Sequence, residues 1–248
     1  MSKKNIYFAS DFHLGAPNIK ESQKREKKLI EWLNEIEHNA KTIYLVGDIF
    51  DFWFEYKKTV PKGYTRLLGK LSEISDSGIP IYFFTGNHDM WAFDYLKEEV
   101  GIKEIYTKPI KIEINKKKFF LGHGDGLGPG DKKYKILKKI FANRLSQWIF
   151  ARIHPNLGIS IAEFWSKKSR ISNGLKDEKE YGEKEYLIQY CKQKIKNTDV
   201  DYFIFGHRHL PICMNIKNNI KYVNLGDWIN YKTYAVFDGE NLSLEEFN

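Results

Sequence analysis

Cysteine, methionine and proline are scarce in this chain of 248 residues, with 2, 3 and 7 copies. The two cysteines, Cys191 and Cys213, lie far apart and outside any Cys-x-x-Cys spacing. That excludes a disulfide framework and a thiolate zinc knuckle, and leaves buried structural thiols as the expectation. Apolar runs never approach the roughly 20 residues needed to cross a bilayer. The N-terminal stretch MSKKNIYFASDFHLG is broken by Asp11 and His13 before it could form a signal-peptide core, so the reading is cytoplasmic. Low proline, 18 glycines, 42% hydrophobic and 29% charged residues exclude collagen-like, disordered and low-complexity classes.

Charge is unevenly distributed. The net is +8, yet Lys132 to Arg170 holds ten basic residues and a single acid, Glu163. That stretch carries +9 and the remainder sums to −1. The basic character therefore belongs to one segment.

Elsewhere, apolar runs of strand length alternate with amphipathic helical patterns. Strands are predicted at 5–10, 42–46, 79–85, 110–114, 118–121, 202–205, 221–225 and 233–237. Helices are predicted at 23–37 and 66–77. The alternation points to βαβ units and an α/β architecture. Four of the strands run into glycine followed at once by a polar residue: YLVGD, FFTGN, FFLGH and FIFGH. A fifth, IYFAS, runs directly into Asp11. Ligands of α/β sheets gather at the carboxyl ends of strands, so these five ends are expected to converge. Glycine there is expected to permit a sharp turn.

The converging set is Asp11, His13, Asp48, Asn87, His88, His123, His207 and His209. Asp-x-His and His-x-His place their side chains on the same side if the backbone stays extended. Carboxylate and imidazole ligands without thiolate suit Mn, Fe or Zn. There are more ligands than one ion needs, and two ions bridged by a carboxylate would serve an in-line phosphoryl displacement. A lone Asp-x-His or Gly-Asn-His-Asp block is often only a turn or a helix cap. Five such blocks in one chain are not explained that way. His38 and His154, outside the blocks, read as a helix-end surface residue and a turn residue. Asp51, Asp89 and Asp125 read either as orienters of ligating histidines or as ordinary turn and ion-pair residues.

DFH, GDIFD, GNHD, GHGD and GHRH, in that order from Asp11 to His209, resemble the calcineurin-like metallophosphoesterases. The resemblance implies a two-sheet β-sandwich flanked by helices and a dinuclear site. It places Asp11, His13, Asp48 and His209 on one metal and Asp48, Asn87, His123 and His207 on the other. Asp48 bridges the two ions. His88, with Asn87, matches the position that touches the scissile phosphate and aids leaving-group departure.

Residues 134–153 read as one amphipathic helix, with Phe141, Trp148 and Ile149 on its apolar stripe and lysines and arginines opposite. His154-Pro155 ends it, and a second apolar and basic run follows. The chain is thus expected to form a single domain, 1–248, with a basic helical cap inserted at 131–175. Such an element can lie on a bilayer, enclose a lipid chain, bind nucleic acid, or pack as ordinary core. Ordinary packing is expected for at least half of its apolar residues. Here the chain is similar to the UDP-2,3-diacylglucosamine pyrophosphatase family of lipid A synthesis. The matches are GDIFD followed by Trp53, His123-Gly-Asp125, Asp131-x-x-Tyr134, Ser166-Lys167, GHRHLP and NLGDW. The resemblance implies hydrolysis of a nucleotide-sugar lipid to UMP and an acylated glucosamine 1-phosphate with two Mn ions, on the cytoplasmic face of the inner membrane. It implies substrate contacts at Asp131, Tyr134, Ser166 and Arg170, and lipid contacts at Phe141, Trp148 and Ile149. The chain departs from the family pattern at His88, where better-known members have arginine. A phosphodiesterase or nuclease acting on nucleic acid or nucleotides is the rival reading. Apolar residues segregated on one helix face speak against it, because a nucleic-acid groove interleaves aromatics with charge.

Overall fold

The computed structural model describes residues 4–177, 182, 185–217 and 219–248, apart from the side chains of 169–177. Among the described residues, eleven strands form two sheets. In chain order, β1 (Asn5–Ala9), β2 (Ala40–Val46), β3 (Ile81–Phe84) and β4 (Glu104–Tyr106) belong to the first. It is completed by β10 (Thr233–Phe237) and β11 (Leu242–Glu246), in the order β11-β10-β1-β2-β3-β4. The second sheet holds β5 (Ile110–Ile114), β6 (Lys117–Leu121), β7 (Tyr202–Phe205), β8 (Pro211–Lys217) and β9 (Ile220–Leu225), in the order β5-β6-β7-β9-β8.

Side-chain alternation explains why the strands read as unbroken apolar runs. Ile6 and Phe8 of β1, with Val46 and Phe84, face inward against Phe119, Leu121, Ile204 and Val223 of the other sheet. Tyr7 and Ala9 point the other way. They meet helices α1 (Ile19–Ile36) and α2 (Thr65–Asp76) through Trp32, Leu33, Leu67 and Leu71. Phe120, Phe203 and Phe205 likewise pack under helix α7 (Tyr186–Lys194). Strands covered on both faces need no polar side. The α/β reading is thereby refined to a sandwich of two mixed sheets with helices outside.

Helix α1 begins four residues before its expected start. Asn18 caps it, its Oδ1 accepting the Glu21 N–H at 3.0 Å. The predicted strands at 110–114 and 118–121 pair as a hairpin, with Asn115 and Lys116 left-handed at its turn, φ 49° and 66°. The structure adds a short helix α3 (Tyr95–Glu98), helix α7 and strands β4, β8 and β11 to the elements the periodicity predicts.

Between β6 and β7 the chain leaves the sheet to form α4 (Lys132–Phe141), α5 (Arg144–Phe150) and α6 (Pro155–Asp177). The single helix predicted over 134–153 is therefore two. Asn143 interrupts it with extended backbone and caps α5, accepting the Leu145 N–H at 2.8 Å. The expectation of ordinary core packing also fails here, since neither α4 nor α5 contains a buried residue. Ile136, Ile140, Leu145, Trp148 and Ile149 are each more than half exposed. No helix among the described residues is long and apolar enough to cross a membrane.

Candidate metal centre

The strand ends of both sheets meet as expected, by a different local geometry. Asp11, His13, Asp48, His207 and His209 have positive φ, between 44° and 69°. They are not extended, so the pairing of Asp11 with His13, and of His207 with His209, comes from left-handed turns and not from strand alternation. Asp and His tolerate that region better than most residues. Nor do the glycines chiefly serve to turn the chain. Among the four strand-end glycines, Gly47, Gly86, Gly122 and Gly206, only Gly47 has positive φ, +86°. The others leave room: a Cβ on Gly86 would stand 2.7 Å from Asp48 Cγ, and one on Gly206 would stand 2.5 Å from Ser10 Oγ beside Asp11.

Three groups of potential ligating atoms result among the described residues: Asp11 with His13 and His209, Asp48 with His123 and His207, and His13 with Asp51 and His88; the first two match the expected sets. His13 Nε2 lies 3.7 Å from Asp11 Oδ1, and His209 Nε2 lies 3.4 Å from that same oxygen. Asp48 Oδ2 stands between the groups, 3.8 Å from His13 Nε2 and 3.2 Å from His123 Nε2. Asp11 Oδ1, Asp48 Oδ2, Asn87 Oδ1 and His123 Nε2 are all buried without a hydrogen-bond partner. Orphaned acceptors are expensive in a buried setting. Here all four belong to the expected ligands, and divalent cations would satisfy them.

The remaining oxygens and nitrogens are committed, which aims the free ones. Asp11 Oδ2 accepts from Ser10 Oγ at 2.6 Å and from the His207 N–H at 3.0 Å. Asp48 Oδ1 accepts the His88 N–H at 2.8 Å. The His123 Nδ1–H donates to the Val46 carbonyl at 2.9 Å, which leaves Nε2 as the ligating nitrogen. Asp51 lies 3.5 Å from His13 Nδ1, and Asp227 lies 3.4 Å from His209 Nδ1. Asp51 thus takes the orienting role, while Asp89 and Asp125 do not touch the ligating rings in this way. Asp89 accepts the Gly86 and Ile49 N–H groups at 2.6 and 2.8 Å, tying the two metal loops together. Asp125 binds Tyr134 Oη at 2.5 Å and Lys138 Nζ at 2.6 Å, tying α4 to the GHGD loop.

Electrostatics fit a cation seat. Burial alone would raise the Asp11 carboxyl, yet His13, His123 and His209 hold it at about 2. Burial would also strip the charge from His13 and His123, but the surrounding aspartates hold both rings up at about 10. Protons and divalent cations compete for this negative field. His207, buried beside His123, falls to about 4 and offers a neutral ring. Burial and the Asp48 charge push Asp89 up to about 7.

A cavity of about 320 Å³ opens between this centre and the cap. Asp51, Asn87 and His88 line it together with Phe52, Met90, Trp91, Phe141, Phe150 and Trp165. His88 Nδ1 meets the Asp51 carbonyl at 2.9 Å and Ser166 Oγ of α6 at 3.0 Å. Of the expected substrate and lipid contacts, Tyr134, Phe141 and Ser166 line the cavity. Asp131 is exposed at the start of α4, with φ 43°. Trp148 and Ile149 lie outside the cavity on the exposed face, 56% and 53% accessible. The Arg170 side chain lies outside the described residues. His38 is exposed just past α1, as expected of a surface residue at a helix end, and His154 is exposed in the turn before α6.

Two residues at the centre escape the motif pattern. Asp227 lies in the NLGDW match but outside the expected ligand set, although VNLGD repeats the strand-glycine-aspartate pattern of YLVGD. Arg25 has no such signal, since no local motif announces it.

Residues 4–211 match the family described as calcineurin-like phosphoesterase. The chain is 40% identical to a UDP-2,3-diacylglucosamine hydrolase of Porphyromonas gingivalis, covering 98% of this chain and 97% of that one. It is 27% identical to the enzyme so named from Vibrio vulnificus, covering 96% of each chain. A Shewanella piezotolerans protein of that name is 24% identical over the same share of each.

Proposed function

The chain belongs to the calcineurin-like phosphoesterases, and on that footing we propose that it hydrolyses the pyrophosphate bond of UDP-2,3-diacylglucosamine, releasing UMP and 2,3-diacylglucosamine 1-phosphate. One observation carries the choice of substrate. One cavity is lined both by the metal-centre residues Asp51, Asn87 and His88 and by a large aromatic and aliphatic set that includes Trp91, Phe141, Phe150 and Trp165. A diphosphate and an acyl chain on one molecule need that juxtaposition, and a nucleic-acid strand does not. The 40% identity to the Porphyromonas gingivalis hydrolase along nearly the whole chain supports the same substrate.

In this reading Asp11, His13, Asp48 and His209 hold one divalent ion, and Asp48, Asn87, His123 and His207 hold a second, with Mn(II) the expected metal. When bound, the two cations supply positive charge to the diphosphate oxygens and acidify water for in-line attack. The protein's own groups do the rest. Asp51 and Ser166 hold His88 by its Nδ1 edge, which turns Nε2 toward the diphosphate. Tyr134, fixed by Asp125, and Asp131, Ser166 and Arg170 surround the sugar phosphate. Phe141, Phe150 and Trp91 exclude water beside the acyl chains.

The chain acts as one domain, with the cap at 131–175 as its lipid-handling element. Trp148 and Ile149, which lie outside the cavity, meet the bilayer surface together with the basic residues of α4 and α5. The enzyme works at the cytoplasmic face of the inner membrane as a peripheral protein. The test is incubation with Mn(II) and UDP-2,3-diacylglucosamine, scoring UMP. Unacylated UDP-glucosamine and single-stranded DNA serve as controls. UMP release only from the acylated substrate is expected. Faster cleavage of DNA, or equal cleavage of the unacylated sugar nucleotide, would overturn the assignment.

A further inference from the structure

The segment from Asp11 to Ala16 carries two ligating side chains on a backbone that resists its own conformation. Asp11 and His13 are non-glycine residues with φ 55° and 44°. Such conformations persist only where the surroundings over-determine them. One side of the segment is fixed by its N–H groups: Asp11 N donates to Gly47 O at 3.0 Å, His13 N to Asp48 O at 2.9 Å and Leu14 N to Ile49 O at 3.0 Å. The other side is fixed by a residue of α1. The buried Arg25 guanidinium donates through Nε to Phe12 O at 2.6 Å, and through Nη2 to His13 O at 2.7 Å and Ala16 O at 2.5 Å. The residues it holds are 0–1% exposed, so water cannot replace it.

We infer that Arg25 is a positioning residue for one metal of the pair. It holds His13, and with it Asp11, in the left-handed turn that lets them share an ion with His209. Asn87 and His123 are fixed by other groups, Asp89 and Val46 O, and the His207 loop is shared between Asn224, which binds Gly206 O, and Asp11, whose Oδ2 accepts the His207 N–H. The effect of removing Arg25 is therefore asymmetric: one ion weakens and its neighbour stays. Charge alone would act in the opposite direction. A guanidinium near a cation site repels the cation, so if charge mattered more than position, its loss would tighten binding.

The inference rests on the two-ion reading, which is checked first: wild-type protein must take up two equivalents of Mn(II) in calorimetry. A wild type that binds fewer refutes that reading, independently of any variant. Arg25→Ala and Arg25→Lys are then titrated with Mn(II) alone, and melting temperature is followed with Mn(II) and with EDTA. The expected result for Arg25→Ala is one equivalent bound as in wild type and the second weakened about 10–100-fold, the usual loss on removing a residue behind a metal ligand. Electron paramagnetic resonance should show the coupled dinuclear signal replaced by that of isolated Mn(II). Its Mn(II)-induced rise in melting temperature should shrink, because that rise reports binding. Arg25→Lys, which keeps the stem and one donor group, should recover part of the second affinity. Two unchanged affinities, a tighter second ion, or equal weakening of both would overturn the inference. So would melting temperatures with Mn(II) and with EDTA that fall in parallel. If Arg25→Ala does not fold, Arg25→Lys decides the matter on the same readouts.

Discussion

Replacing Gly86 with alanine tests whether strand-end glycines exist to make room for the bridging carboxylate. Gly86 does not need positive φ, so alanine can adopt its backbone, and any effect must come from the added methyl. That methyl would sit 2.7 Å from both Asp48 Cγ and Asp48 N, and nearer still to Oδ1. Ordinary van der Waals contact begins near 3.4 Å, so Asp48 must retreat by about 0.7 Å or more. The carboxylate is no flexible tip, because Oδ1 accepts the His88 N–H at 2.8 Å. Gly86 cannot retreat easily either, since its N–H donates to the buried Asp89 at 2.6 Å. A misplacement near 1 Å at a reacting centre costs on the order of 10²-fold in rate. Overpacking adds roughly 1–3 kcal/mol of destabilisation. In a chain of this length each kcal/mol lowers the melting temperature by about 2–4 °C. The assay is UMP release at saturating Mn(II), together with metal content. Gly69→Ala is the control: in α2 a Cβ there meets nothing within 4 Å. It should leave the rate unchanged and stabilise by about 0.5–1 kcal/mol through helix propensity. A Gly86→Ala variant with wild-type turnover would refute the crowding argument.

Four further outcomes are expected. Asp48→Ala removes the oxygen that faces His13 and His123 alike, so elemental analysis should find both ions depleted and hydrolysis abolished; two retained equivalents would sink the bridging role. His88→Ala should keep both ions and slow turnover by about 10²–10⁴-fold, the usual loss of a group acting on the transferring proton or charge; a missing ion or a normal rate would count against it. Phe141→Ser should depress cleavage of UDP-2,3-diacylglucosamine while bis-p-nitrophenyl phosphate, which has no acyl chain, is cleaved as before. The Trp148→Ser, Ile149→Ser pair lies outside the cavity and should instead weaken sedimentation with anionic vesicles, leaving that small ester untouched.

How legible the fold is in the sequence depends on burial. β1, β2, β3, β6 and β7 are covered on both faces, so past polar residues near the starts of β1, β2 and β6 their sequences are continuous apolar runs that announce themselves. β4, β8 and β11 lie at sheet edges, where one face or one rim meets water. Leu242-Ser-Leu-Glu-Glu246 accordingly reads as polar, yet it pairs residue for residue with β10. The cap is legible as an amphipathic element, but its break at Asn143 is hidden because the apolar spacing continues across it. A helix cap is a one-residue signal, and periodicity averages over a dozen.

The metal centre shows why residue type is more legible than geometry. Its ligands stand out because Asp, Asn and His recur after apolar runs, a pattern set by chemistry and visible in one dimension. The way they converge is set in three dimensions, and the expected mechanism of extended, alternating side chains is wrong. An extended Asp-x-His would carry both side chains up the strand axis, away from the second sheet. The left-handed turns at Asp11, His13, His207 and His209 curl each pair back over its strand end, so two sheets can feed one centre. Such turns strain non-glycine residues, and at Asp11 and His13 the strain is opposed by the Gly47 and Asp48 carbonyls and by an arginine from the first helix. Those partners are backbone atoms or residues distant in sequence, so nothing in the spacing could reveal them. The same crowding explains the glycines. At Gly47, Gly86 and Gly206 a ligand's imidazole or carboxylate has taken the space of a side chain, and at Gly122 Pro109 has done so.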